Sequence, residues 1–128
     1  MVKIHDEPDC GNAPRKEIVR DFVVSLAERN SEHVMSLLAE DIAWKIVGDR
    51  ILTDRETVLR WVTGLPKVDQ VVFGSLLTHG RGASADGVFY LADGTQSSFC
   101  HVLRFASAVK TAKIVGVNTY AIVLTAAS

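Results

Sequence analysis

PKVDQVVFGSLLTHGRGASADGVFYLADGTQSSFCHVLRF, residues 66–105, decides the fold class. From Pro66 onward, runs rich in Val, Phe, Tyr, Ser and Thr are separated by Gly and Asp, the composition of strands joined by turns. The spacing predicts strands over about 68–79, 82–92, 96–107 and 112–124. The turns fall at His79-Gly80-Arg81-Gly82, at Ala92-Asp93-Gly94 and over 108–111. Connections this short join antiparallel neighbours, because a parallel crossover needs a dozen or more residues.

Upstream of this stretch the apolar period is helical. Pro14 suits a first helical turn, and Ile18, Val19, Phe22, Val23 and Leu26 follow on one face, predicting a helix over about 14–29. Asn30 or Ser31 can cap a shorter helix that buries Val34, Leu37 and Leu38. Ile42 to Val47 reads as a strand stopped by Gly48. Thr53-Asp54-Arg55-Glu56 fits a capping box, with Val58, Leu59, Trp61 and Val62 behind it and an end near Gly64-Leu65-Pro66. Helices first and consecutive strands afterwards predict an α+β fold, with three N-terminal helices segregated to one side of an antiparallel sheet.

With 128 residues, 48% of them hydrophobic and 23% charged, the chain has the size and composition of one globular domain. We assign it to residues 14–128, behind a flexible arm over 1–13. Fourteen Lys and Arg against fifteen Asp and Glu leave a formal charge of −1 without a basic run, so nucleic acid is not an expected partner. Cys10 and Cys100 have neither metal-site spacing nor the density of a secreted disulfide framework, and no apolar stretch has the length of a membrane span. A cytoplasmic protein with reduced thiols and no membrane partner is expected. His5, Asp6, Glu7, Asp9 and Cys10 read as a polar terminus and not as metal ligands, and neither metal nor organic cofactor is expected.

Several segments in this order resemble the nuclear transport factor 2-like superfamily, also described as SnoaL-like or cystatin-like, over roughly residues 14–124. Leu38-Ala-Glu-Asp41-Ile-Ala-Trp44 is similar to the family's junction between second helix and first strand, and Gly48 with the helix Thr53 to Trp61 to the segment that closes its cone. Phe99-Cys100-His101-Val102-Leu103-Arg104-Phe105 and Lys113-Ile114 through Thr119-Tyr120 resemble its last two long strands. The resemblance implies a cone-shaped, curved antiparallel sheet with the three helices packed on its concave side, a hydrophobic pocket within the cone, frequent homodimerisation through the sheet, and a choice among isomerase, cyclase, hydrolase, dehydratase and non-catalytic roles. Fold does not decide among them.

Laid on the ketosteroid isomerase pattern, the helix-one tyrosine position holds Phe22, the base position falls at or near Ile46, and the oxyanion-hole aspartate position falls on His101. The strands that would carry the Arg-Asp-Asp set of the epoxide hydrolases offer Phe99, His101 and Thr119, and from Thr95 to Ser128 there is no Asp or Glu. His101 is therefore the candidate catalytic acid or base. In a period-two strand it shares a face with Phe99, Leu103 and Phe105, and an apolar wall favours its neutral form. The competing reading is a core histidine whose two nitrogens are satisfied by backbone or by a hydroxyl such as Thr119 or Tyr90. Phe22, Trp44, Trp61, Tyr90, Phe99 and Thr119 are the candidate ligand-binding residues. Two functions follow: binding of a small, mostly apolar molecule with His101 orienting it, or a non-catalytic dimeric interaction module using the face with Asn118, Tyr120 and Ile122.

Overall fold

The structure is a computed structural model and describes residues 2–5 and 14–124. The acidic and thiol residues Asp6, Glu7, Asp9 and Cys10 lie outside the described residues. In chain order the elements are β1 (Lys3–His5), α1 (Pro14–Ala27), α2 (Ser31–Leu37), β2 (Leu38–Ile46), β3 (Arg50–Leu52), α3 (Arg55–Thr63), β4 (Val68–His79), β5 (Gly82–Leu91), β6 (Gln96–Phe105) and β7 (Ile114–Leu124). They form one curved sheet in the order β1-β4-β5-β6-β7-β2-β3. The helices cover one face of it, α1 on β4 and β5, and α3 on β2, β3 and α2.

The helices end for local reasons. Arg29 takes a left-handed φ of 54° just after α1, where glycine is the usual residue, and Asn30 N–H returns to the Ser25 carbonyl at 2.9 Å. The Asn30 side chain then accepts from His33 N–H at the start of α2. At α3 the cap is Asp54, one residue later than the capping box predicts. Its carboxylate accepts from Thr57 N–H at 2.7 Å and from Thr57 Oγ1 at 2.8 Å, and these bonds hold its pKa below the usual carboxylate range.

The four long strands pair antiparallel with the predicted turns, β4 to β5 to β6 to β7. The sheet as a whole is mixed, because both flanks add parallel neighbours: β1 beside β4 and β2 beside β7. Residues 3–5, read from the sequence as part of a flexible arm, form β1 against Gln70–Val72. A three-residue strand whose partner lies so far along the chain leaves no local pattern to read. β3 was also missed; it folds back on β2 through a turn with Gly48 at φ +82°.

Curvature comes from register shifts in β4, between Val68 and Gln70 and between Phe73 and Ser75. At the second, Asp86 reaches across from β5 and accepts the Ser75 N–H at 2.8 Å. Inside the curve the core runs from Val19, Phe22, Val23 and Leu26 of α1 to Trp44, Leu103, Phe105 and Val117 of the sheet.

Candidate functional site

Alternation along β6 points Ser97, Phe99, His101, Leu103 and Phe105 at the helices, and His101 is only 3% exposed. In the ladder His101 lies between Ala85 of β5 and Thr119 of β7. The alanine leaves room beside the imidazole, and the threonine brings a hydroxyl directly opposite it. His101 Nδ1 and Thr119 Oγ1 are 2.8 Å apart.

The parallel pairing of β2 with β7 supplies the third member. It sets Trp44 against Val117 and Ile46 against Thr119, and the Trp44 indole Nε1–H donates to Thr119 Oγ1 at 2.8 Å. The result is a buried chain from Trp44 through Thr119 to His101. Burial pushes the His101 pKa down to about 4, so the ring is neutral at physiological pH. Its Nε2 is buried and has no hydrogen-bond partner among the described residues.

Aromatic rings surround the imidazole. Phe22 meets it edge-on at 5.6 Å between centroids, and Phe99 lies at 5.2 Å with a tilt of 32°. Phe22 also contacts Trp44, Trp44 contacts Trp61, and Phe89 contacts Phe99. Beside this cluster, where the C-terminal end of α1 and the residues after α3 leave the sheet uncovered, is a cavity of about 200 Å³. Its helical side is made by Leu26, Trp61, Leu65 and Pro66. The sheet side carries Phe89 and Leu91 from β5, Ser97, Phe99 and His101 from β6, and Thr119, Ala121 and Val123 from β7. Among the described residues the polar side chains lining it are Ser97, His101 and Thr119, and no charged side chain does so.

Of the residues singled out in the sequence, the structure brings Trp61, Phe99, His101 and Thr119 to the cavity wall. Phe22 and Trp44 are fully buried behind that wall and touch the cavity only through the rings they support. Tyr90 is elsewhere: it sits between the inward Phe89 and Leu91, so its side chain is on the outer face, 37% exposed. The hydroxyl beside His101 is that of Thr119 and not of Tyr90. Ser97, Ala121 and Val123 were missed, although extending the inner-face alternation from Phe99 and Thr119 finds them. Leu65 and Pro66 carry no such signal, since they belong to the turn after α3. Among the described residues no three His, Cys, Asp or Glu side chains come together as a metal site.

No protein-family model and no curated protein matches the sequence. Solved structures do match, at low identity. A candidate ketosteroid isomerase from Kribbella flavida DSM 17836 is 20% identical with a TM-score of 0.70, covering 90% of this chain and 82% of its own. SalBIII, an epoxide hydrolase/cyclase-like enzyme in pyran ring formation in the polyether salinomycin, is 15% identical with a TM-score of 0.68, covering 84% of this chain and 90% of its own. A nuclear transport factor 2-like protein of unknown function from Burkholderia xenovorans LB400 is 11% identical with a TM-score of 0.73, covering 90% and 88%. The chain has the nuclear transport factor 2-like fold. Identities this low carry the likeness of fold and no further.

Proposed function

We propose that the cone binds a small, mostly apolar organic molecule, with His101 as the polar group that orients it. The observation that carries this reading is the 200 Å³ cavity lined by apolar side chains with a neutral, buried histidine on its wall. A dry apolar cavity of about 150 Å³ is enough to hold benzene, so this one suits roughly ten non-hydrogen atoms. Few, well-placed polar groups in an apolar pocket are the usual arrangement for orienting a ligand. Among the described residues no carboxylate lines the cavity, so a reaction built on two carboxylates finds no source among them; chemistry of isomerase, cyclase or dehydratase type would fall to His101.

The test uses the protein's own fluorescence. Both tryptophans of the chain, Trp44 and Trp61, belong to the site. Titration with indane is expected to change their emission in a saturable way. Ala121→Phe, which places a ring in the cavity, is expected to abolish the change. An unchanged emission up to the solubility of indane, or an equal response in Ala121→Phe, would overturn the reading.

A second reading concerns the outer face of the sheet and stands beside the first. Val102, Tyr120 and Ile122 project there as exposed apolar side chains, Ile122 at 67%, with Tyr90 on β5 and Leu77 on β4 beyond it. Scattered apolar residues are ordinary on a surface, whereas several exposed on one face of a sheet suit an interaction site. We infer a homodimer through this face. The same surface serves the alternative in which the protein is only an interaction module; loss of indane binding with retention of the dimer would favour that alternative.

A further inference from the structure

The hydrogen bonds around His101 fix which of its nitrogens carries the proton. The Trp44 indole nitrogen can only donate, so Thr119 Oγ1 accepts from it. The threonine proton is then left to be placed, and the second partner of that oxygen is His101 Nδ1. If Thr119 donates to Nδ1, Nδ1 is the acceptor, the ring proton is on Nε2, and one buried group, Nε2–H, lacks a partner. If Nδ1–H instead donates to Thr119, the hydroxyl accepts twice. Its own proton then has no acceptor among the described residues, and Nε2 is left as a buried lone pair without a donor. The first arrangement strands one group and the second strands two. Since a buried unpaired polar group is costly, the first prevails. Burial in turn disfavours a ring protonated at both nitrogens.

We propose that His101 is held as its Nε2–H tautomer by Thr119 and Trp44, so that the cavity selects apolar molecules carrying an acceptor oxygen, of the ketone or cyclic ether class. The inference rests on the cavity reading above and assigns His101 a different role from that of a base. Nε2 already bears a proton and has no free lone pair, while the ring's basic nitrogen, Nδ1, is occupied by the Thr119 hydroxyl. What it offers is a donor in a water-poor wall, the position from which a neutral imidazole polarises a carbonyl. Nε2 has under 1 Å² of exposed area in the empty cavity. A ligand oxygen must therefore seat at the wall itself, with the side chains packed around the imidazole giving way. Thr119 and Trp44 are positioning residues: they set the proton without needing to touch the ligand.

The tautomer is read directly from the two ring nitrogens by ¹⁵N NMR on the whole labelled protein at neutral pH. A protonated, pyrrole-type Nε2 and a pyridine-type Nδ1 are expected for His101; the reverse assignment overturns the proposal. Thr119→Val is expected to lose the single tautomer and Thr119→Ser to keep it. Should Thr119→Val fail to fold, wild type and Thr119→Ser still decide. The second measurement is calorimetric titration with indane, 1-indanone and indole, which share a shape but offer no polar group, an acceptor and a donor. 1-Indanone is expected to bind about fivefold more tightly than indane, against its lower hydrophobicity, as one net hydrogen bond would give. Equal affinities, or tighter binding of indole, would overturn the inference and leave the cavity reading standing. Binding of none of the three would overturn both.

Discussion

At the scale of single residues, His101 carries the most consequential prediction. Its folded pKa of about 4 lies below the ordinary value near 6.5. Between those two pH values the unfolded chain binds a proton that the native state refuses, so stability falls as pH drops from about 6.5 toward 4 and is insensitive to this group above 6.5. The shift corresponds to on the order of 3 kcal/mol. Urea unfolding at pH 7 and pH 4.5, in wild type and His101→Phe, isolates it, because every other titrating group is common to both. Wild type should lose on the order of 2 kcal/mol more than the variant over that interval, most of the full shift; equal losses would show that the ring is not buried neutral. Why His101 was legible in the sequence and Tyr90 was misplaced is a matter of phase. Phe99, His101 and Leu103 keep one alternation along β6, whereas Tyr90 follows the inward Phe89 and so points outward. Trp44 was picked as a pocket aromatic, but its work as a donor to Thr119 depends on a strand pairing that no local pattern announces.

At the scale of elements, long strands and helices were readable because their periods persist over many residues and their turns contain Gly and Asp. The flanks were not, since β1 and β3 are three residues each and are strands only by virtue of their neighbours. The pairing of β4 with β5 also determines a glycine. A Cβ at Gly87 would run into the Val72 carbonyl oxygen and come within 3.0 Å of the Phe99 ring. Backbone cannot yield cheaply and Phe99 forms the cavity wall, so Gly87→Ala should cost on the order of 2 kcal/mol by overpacking. It should also weaken indane binding. Chemical unfolding together with an indane titration checks both, and a variant as stable as wild type would mean that the two strands can separate there without strain. Asp54→Ala should lower Tm by removing the α3 cap, with a thermal melt as the measurement.

At the scale of the whole molecule, one sheet presents two surfaces of different use. The inner surface, roofed by the helices, keeps a cavity; the outer surface leaves an apolar patch. Ile122→Lys, at an apolar side chain 67% exposed on that face, should shift a homodimer to monomer in analytical ultracentrifugation while leaving indane binding intact. An unchanged sedimentation coefficient would remove the dimer from the account. The fold was legible from the sequence at this scale because helices followed by hairpins admit few arrangements. Where the cavity opens was not, since it depends on how far α1 and α3 reach along the sheet, and that is a property of packing. The measurement that bears most directly on the central claim is a crystal structure of the protein soaked with indane. The account predicts the molecule inside the cone against Trp61, Phe99 and His101; a cavity closed by its own side chains, with indane absent or only on the outer face, would contradict it.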